Sequence, residues 1–137
     1  NEFKGLQWIT YRYPDDPNRE LNNLKQIIKI LKNDSSKRML ITDYQFLSPT
    51  LKTYDFSPNQ WHHPTVSFPL NDQKYFKKYK NFFIKSLKDN NIDFIYETTE
   101  NDKSITELVI NKDCLKKIRA SEMLLKIKLL KNCKDLN

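Results

Sequence analysis

The chain holds one glycine, Gly5, among 137 residues, and that count restricts it more than any other feature. Glycine lets backbone turn through positive φ or approach a phosphate with no side chain in the way. A dinucleotide fingerprint, a phosphate-cradling loop and a hydrolase nucleophile elbow all require it at fixed places. None can be built here. Sharp helix endings must use other residues, such as Asn90-Asn91, since Asn tolerates the left-handed conformation.

The apolar periodicity predicts a helix from about Pro17 to Lys32. Asp16 is placed to cap it, Pro17 suits its first position, and Leu21, Leu24, Ile27, Ile28 and Leu31 share one face. The unbroken run Met39-Leu40-Ile41-Thr42 reads as a central strand covered on both sides. A short helix is expected around Tyr44 to Leu51, opening a long irregular stretch to Asn71 that carries Pro49, Pro58, Pro64 and Pro69. Trp61 is expected to pin that stretch by burying its indole. A second long helix is expected from Gln73 to Lys88, capped by Asp72, with Phe76, Tyr79, Phe83 and Leu87 inward. Ile92 to Tyr96 reads as a strand. A third helical stretch is placed within Ile105 to Arg119, and Leu124 to Leu130 as a half-exposed edge strand, with a helix as the alternative. The sum is one α/β domain over residues 1–137, a two- or three-layer sandwich whose small, mainly parallel sheet is flanked by helices.

The net charge is +7. Nearly all of it is Lys; the arginines are Arg12, Arg19, Arg38 and Arg119. Nucleic-acid sites favour Arg for bidentate contacts, and abundant Lys and Asn with scarce Gly is what an AT-rich genome produces, so no nucleic-acid partner is expected. Attraction to an anionic membrane surface fits this charge better. No run reaches the ~18 apolar residues of a membrane span. The start at Asn1-Glu2, with no Met, suggests a piece of a longer or processed chain. Trp8, Tyr11 and Tyr13 near that start are either packing residues or interfacial aromatics.

In a parallel sheet, ligands sit beyond the carboxyl ends of the strands. Asp43, Tyr44 and Gln45 leave the first strand there, and Glu97 leaves the second. The Pro-rich loop can bring Trp61, His62 and His63 over the same edge. A carboxylate, an aromatic platform and an imidazole suit a sugar or another polar ligand. The plainer alternative has Asp43 capping the next helix and Glu97 exposed. No metal or cofactor is expected, because the two histidines are adjacent and the two cysteines lack ligand spacing. Cys114 and Cys133 are either buried thiols or one disulfide.

Short phrases along the chain carry a resemblance. They are Tyr13-Pro14, Asn18-Arg19-Glu20 opening a helix, Leu40-Ile41-Thr42-Asp43-Tyr44-Gln45 ending a strand, Ser57-Pro58-Asn59-Gln60-Trp61, and the Tyr/Phe/Lys-rich helix after it. Over Trp8 to Cys133 the layout resembles the soluble C-terminal domain of bacterial polytopic glycosyltransferases of the dolichyl-phosphate-mannose–protein mannosyltransferase type. None of the phrases is a catalytic motif, and no catalytic residue is carried over. The resemblance implies an extracytoplasmic accessory domain, inactive alone and tethered to the membrane portion of the same polypeptide. It would assist a sugar acceptor or lipid-linked donor. That location would favour pairing of Cys114 with Cys133. The alternatives are a free-standing ligand-binding or protein-interaction domain, and a small enzyme using Asp43, Glu97 and His62.

Overall fold

A computed structural model describes residues 4–5, 12–53 and 55–130. Helix α1 spans Pro17–Lys32, with Pro17 in its first turn. Asp16 caps it, Oδ1 accepting from the Arg19 amide at 3.2 Å. The buried stripe is Leu24, Ile27, Ile28 and Leu31, as the spacing predicts. Strand β1 is Arg38–Ile41 and α2 is Leu47–Leu51. Helix α3 runs Phe76–Asp89, three residues later in starting than expected. Asp72 does not cap it. A turn bonded from the Gln73 amide to the Leu70 carbonyl, and from the Phe76 amide to the Gln73 carbonyl, occupies that place. Asn91, at φ 49°, ends α3 in the left-handed region. There its amide reaches the Lys88 carbonyl and that of Ile92 the Leu87 carbonyl.

Strand β2 is Phe94–Thr98, followed by the short helix α4, Thr106–Val109. Strands β3, Leu115–Ser121, and β4, Leu124–Leu129, complete a four-stranded sheet ordered β1-β2-β4-β3. β1 and β2 pair in parallel, Leu40 opposite Tyr96; β2–β4 and β3–β4 are antiparallel. The sheet is therefore mixed, not mainly parallel. The difference arises at Ile105 to Arg119, where the helical stretch is only the single turn of α4 and a 3-10 turn at Lys112–Cys114, and β3 begins at Leu115. Its hairpin with β4 turns at Glu122-Met123 without positive φ at either residue, and the pairing shifts between Arg119 and Ser121 instead. Such a turn lacks the Asn-Gly type of signal by which tight hairpins are read.

Two strands exchange the places expected of them. β1 lies at the end of the sheet, although all four of its residues are buried. Its outer edge is covered where the Leu40 amide donates to the Phe56 carbonyl at 2.8 Å. β4 lies inside the sheet, not at its edge. The strand alternation feeds two apolar clusters. Leu40, Tyr96 and Leu124 pack with Leu24, Ile27, Ile28 and Leu31 of α1. Met39, Ile41, Ile95, Leu125 and Ile127 pack with Phe83 and Leu87 of α3 and Val109 of α4. Lys126 breaks the apolar pattern of β4. Its Nζ reaches Asp34 Oδ2 at 2.8 Å and lies over the Phe94 ring, 3.9 Å from the centroid.

Candidate functional site

The carboxyl ends of β1 and β2 open into a cleft of about 400 Å³. It is lined by Arg12, Thr42, Asp43, His62, Glu97 and, after them, Thr98 to Asn101 and Lys103, among others. That size suits a small polar ligand. Three of the residues singled out in the sequence, Asp43, His62 and Glu97, meet there.

Glu97 is buried, not exposed as the plainer alternative had it, and it holds the cleft wall together. Its carboxylate accepts from the Ser104 hydroxyl at 2.8 Å, from the backbone amides of Ile105 at 3.0 Å and Thr106 at 2.8 Å, and from the Thr106 hydroxyl. Burial pushes its carboxyl up, and those donors oppose the shift. With its oxygens so occupied, Glu97 orders the approach to α4; it is not a free acid or base.

Thr42, just past β1, was not singled out in the sequence, having no motif to signal it. Its hydroxyl accepts from the Tyr44 amide at 3.0 Å and the Thr98 hydroxyl at 2.8 Å, tying the two strand ends together. Asp43 does not cap the next helix, since α2 has no side-chain cap hydrogen bond, and Thr42 makes the local turn. Asp43 instead faces Arg12, whose guanidinium lies 3.8 Å from it and 3.6 Å from Glu100. These partly exposed pairs contribute little to stability but fix the charge pattern at the mouth.

His62 is 6% exposed, and both ring nitrogens are shielded without a hydrogen-bond partner. Burial lowers its pKa, partly opposed by the nearby Asp43 charge and by the Thr42 backbone, which lies close to the ring. The ring is thus held in its neutral form, with one N–H donor and one acceptor nitrogen. The neighbouring Trp61 is 53% exposed and does not anchor the loop as expected. The loop is pinned instead by the Gln45 amide, which donates to the Gln60 carbonyl, and by Asn59 Nδ2, 2.7 Å from the Tyr79 hydroxyl.

Tyr44, Gln45, Trp61 and His63 do not line the cleft. Tyr44 turns toward α1, donating to Glu20, and its ring meets Phe46 edge-on at 5.9 Å. Burial and the Glu20 hydrogen bond raise its pKa. His63 is exposed, and its amide donates to the Ser67 hydroxyl at 3.3 Å.

Among the described residues no three His, Cys, Asp or Glu side chains group as a metal site. Nor is any helix among them long and apolar enough to cross a membrane. Cys114 is disulfide-bonded. Cys133, the other cysteine, lies outside the described residues, as do Trp8 and Tyr11. No family model matches the chain, and neither a curated protein nor a solved structure matches it.

Proposed function

We propose that this chain is a non-catalytic accessory domain of a polytopic membrane glycosyltransferase, placed on the extracytoplasmic side. Its cleft would receive part of a sugar acceptor or of a lipid-phosphate sugar donor. In this reading the domain is a helix–sheet–helix sandwich whose partner is the membrane portion of the same polypeptide. The observation that carries the ligand assignment is the buried His62 ring in the wall of the polar cleft beyond the parallel strand ends. A neutral imidazole offers one donor and one acceptor, the complement of a hydroxyl group. The Asp43 carboxylate, the Asn101 amide and the hydroxyls of Thr98 and Thr99 stand in the same cleft, and Arg12 and Lys103 suit a phosphate. The Cys114 disulfide supports an oxidising compartment. The resemblance in layout supports the same assignment.

Nuclear magnetic resonance of the chain with mannose and with mannose 1-phosphate tests the ligand. His62, Thr42 and Thr98 signals should move with at least one of them, and the two Thr signals should stay still in His62→Ala. Immobile signals with both would remove the cleft from the proposal. In the full-length protein, sugar transfer from a lipid-phosphate donor should fall in Asp43→Ala plus His62→Ala. Turnover by the chain alone would refute its accessory role.

A further inference from the structure

A second surface lies around Tyr79 on α3, apart from the polar lining of the cleft. The segments that Tyr79 touches carry four exposed apolar side chains: Trp61 at 53% exposure, Val66 at 84%, Tyr75 at 57% and Phe82 at 48%. Tyr79 ties these segments together. Its hydroxyl accepts from Asn59, two residues before Trp61, at 2.7 Å. Its ring stacks on Phe68, 5.6 Å away, which brings the Val66 turn alongside. Its ring centroid is 6.2 Å from that of Phe82, and its amide donates to the Tyr75 carbonyl one turn earlier.

Helix α3 and the turn before it are strongly basic. From Lys74 to Asp89 the sequence has six lysines and one acidic residue, Asp89 itself, with no arginine. Lys74, Lys78 and Lys85 are exposed and recur at helical spacing beside the row of Tyr75 and Phe82. Lys85 is paired with Asp89; Lys74 lies over the Tyr75 ring at 5.4 Å.

We infer that this face docks on an anionic phospholipid surface. The aromatic and Val side chains would enter the headgroup boundary while the lysines meet the lipid charge. Aromatic rings with polar tips favour that boundary, and long Lys stems let the ammonium remain at headgroup level. Apolar burial combined with electrostatic attraction is what holds a peripheral surface to a membrane. Absence of guanidinium groups from the patch argues against nucleic acid. The inference uses α3 and not the cleft, so either reading can fail while the other stands.

The test is co-sedimentation of the chain with phosphatidylcholine vesicles, with and without phosphatidylserine. Binding should require the anionic lipid and weaken with salt. Lys74→Glu/Lys78→Glu/Lys85→Glu should weaken it by roughly a hundredfold or more, at about fivefold per lysine lost. A charge-matched control, Lys25→Glu/Lys29→Glu/Lys116→Glu, should bind more tightly than that variant. In a Trp8→Phe background, Trp61 emission should shift to the blue on binding, and Trp61→Ser/Phe82→Ser should bind more weakly. Lack of binding to the anionic vesicles would overturn the inference. So would equal losses in the two charge variants, or unchanged binding by Trp61→Ser/Phe82→Ser, provided circular dichroism shows each variant folded.

Discussion

Arg38 Nε lies 2.7 Å from Asp55 Oδ1, and each side chain is 4% exposed. The same guanidinium donates through one nitrogen to the carbonyls of Leu31 at 2.6 Å and Asp34 at 2.8 Å. Arg38 thus satisfies backbone acceptors at the end of α1 while standing on β1, and Asp55 neutralises it there. Removing one partner of a buried pair leaves the other charge uncompensated, at a cost of about 3–5 kcal/mol. Asp55→Ala should lower stability by that order, seen as a lower urea midpoint with unchanged slope. Arg38→Met/Asp55→Leu should recover only part of the loss, because the two carbonyls remain unserved. A wild-type midpoint for Asp55→Ala would show the pair to be energetically idle.

Glu97 permits a test of how the cleft wall is held. Glu97→Gln keeps size and shape but turns an acceptor oxygen into a donor facing other donors. At least one buried N–H or hydroxyl should lose its partner, costing about 1–3 kcal/mol. Amide exchange should quicken at Ile105 and Thr106 more than in β1. Uniform acceleration across the domain would mean that Glu97 supports the whole fold and not this wall.

The parts legible in the sequence were those whose local pattern and tertiary role agree. In α1, Asp16, Pro17 and the Leu24–Leu31 stripe each do what their spacing implies. The apolar runs around Leu40 and Phe94 do form a parallel pair. β3 was missed because its exposed Lys116, Lys117 and Ile118 give no clean alternation and its turn carries no Gly or Asn. β4 was recognised as a strand, but Lys126 suggested an edge. Its charge is met by Asp34, a contact 92 residues away that no local pattern reports. The site was legible as a location, since parallel strand ends predict it. Its side-chain roles were not, because hydropathy favours burying Trp61 where the loop buries His62.

The Asp34–Lys126 contact makes acid stability predictable. Burial by itself would raise the Asp34 carboxyl, but hydrogen bonds from Lys126, Ser36 and Tyr96 outweigh it and hold the group well below its usual range. A depressed carboxyl stabilises the fold above its unfolded pKa of about 4 and loses that contribution as pH falls toward the folded value. Asp34→Asn should therefore be less stable than wild type at neutral pH, with the gap narrowing below pH ~4. A gap that stays constant to the lowest pH at which the protein folds would assign the loss to packing instead of charge.

The Cys114 disulfide should be visible in both thiol content and stability. Unfolded, unreduced protein should show no titratable thiol. Reduction should cost about 2–5 kcal/mol, the usual range for a native bridge in a small domain. Cys114→Ser should match the reduced wild type and gain nothing from oxidant. Two free thiols per chain in the unreduced protein would contradict the bond.

His62 gives the prediction that joins stability to the cleft. Burial lowers its pKa below the ordinary 6.5, so the folded protein resists protonation that the unfolded chain accepts. The sign follows from proton linkage: stability is full above the unfolded pKa and declines as pH falls from there toward the folded pKa. His62→Leu should flatten the stability profile through that window, because it removes the group that titrates differently in the two states. A hydroxyl ligand bound to the neutral ring should lower the His62 pKa further, since protonation would remove the acceptor nitrogen that the ligand uses. Titration of the His62 ring signals, alone and with mannose, which brings no phosphate charge to raise the pKa, measures both effects. A ring titrating at its ordinary value in the folded chain would remove the buried neutral imidazole, and with it the hydroxyl-binding role assigned to this position.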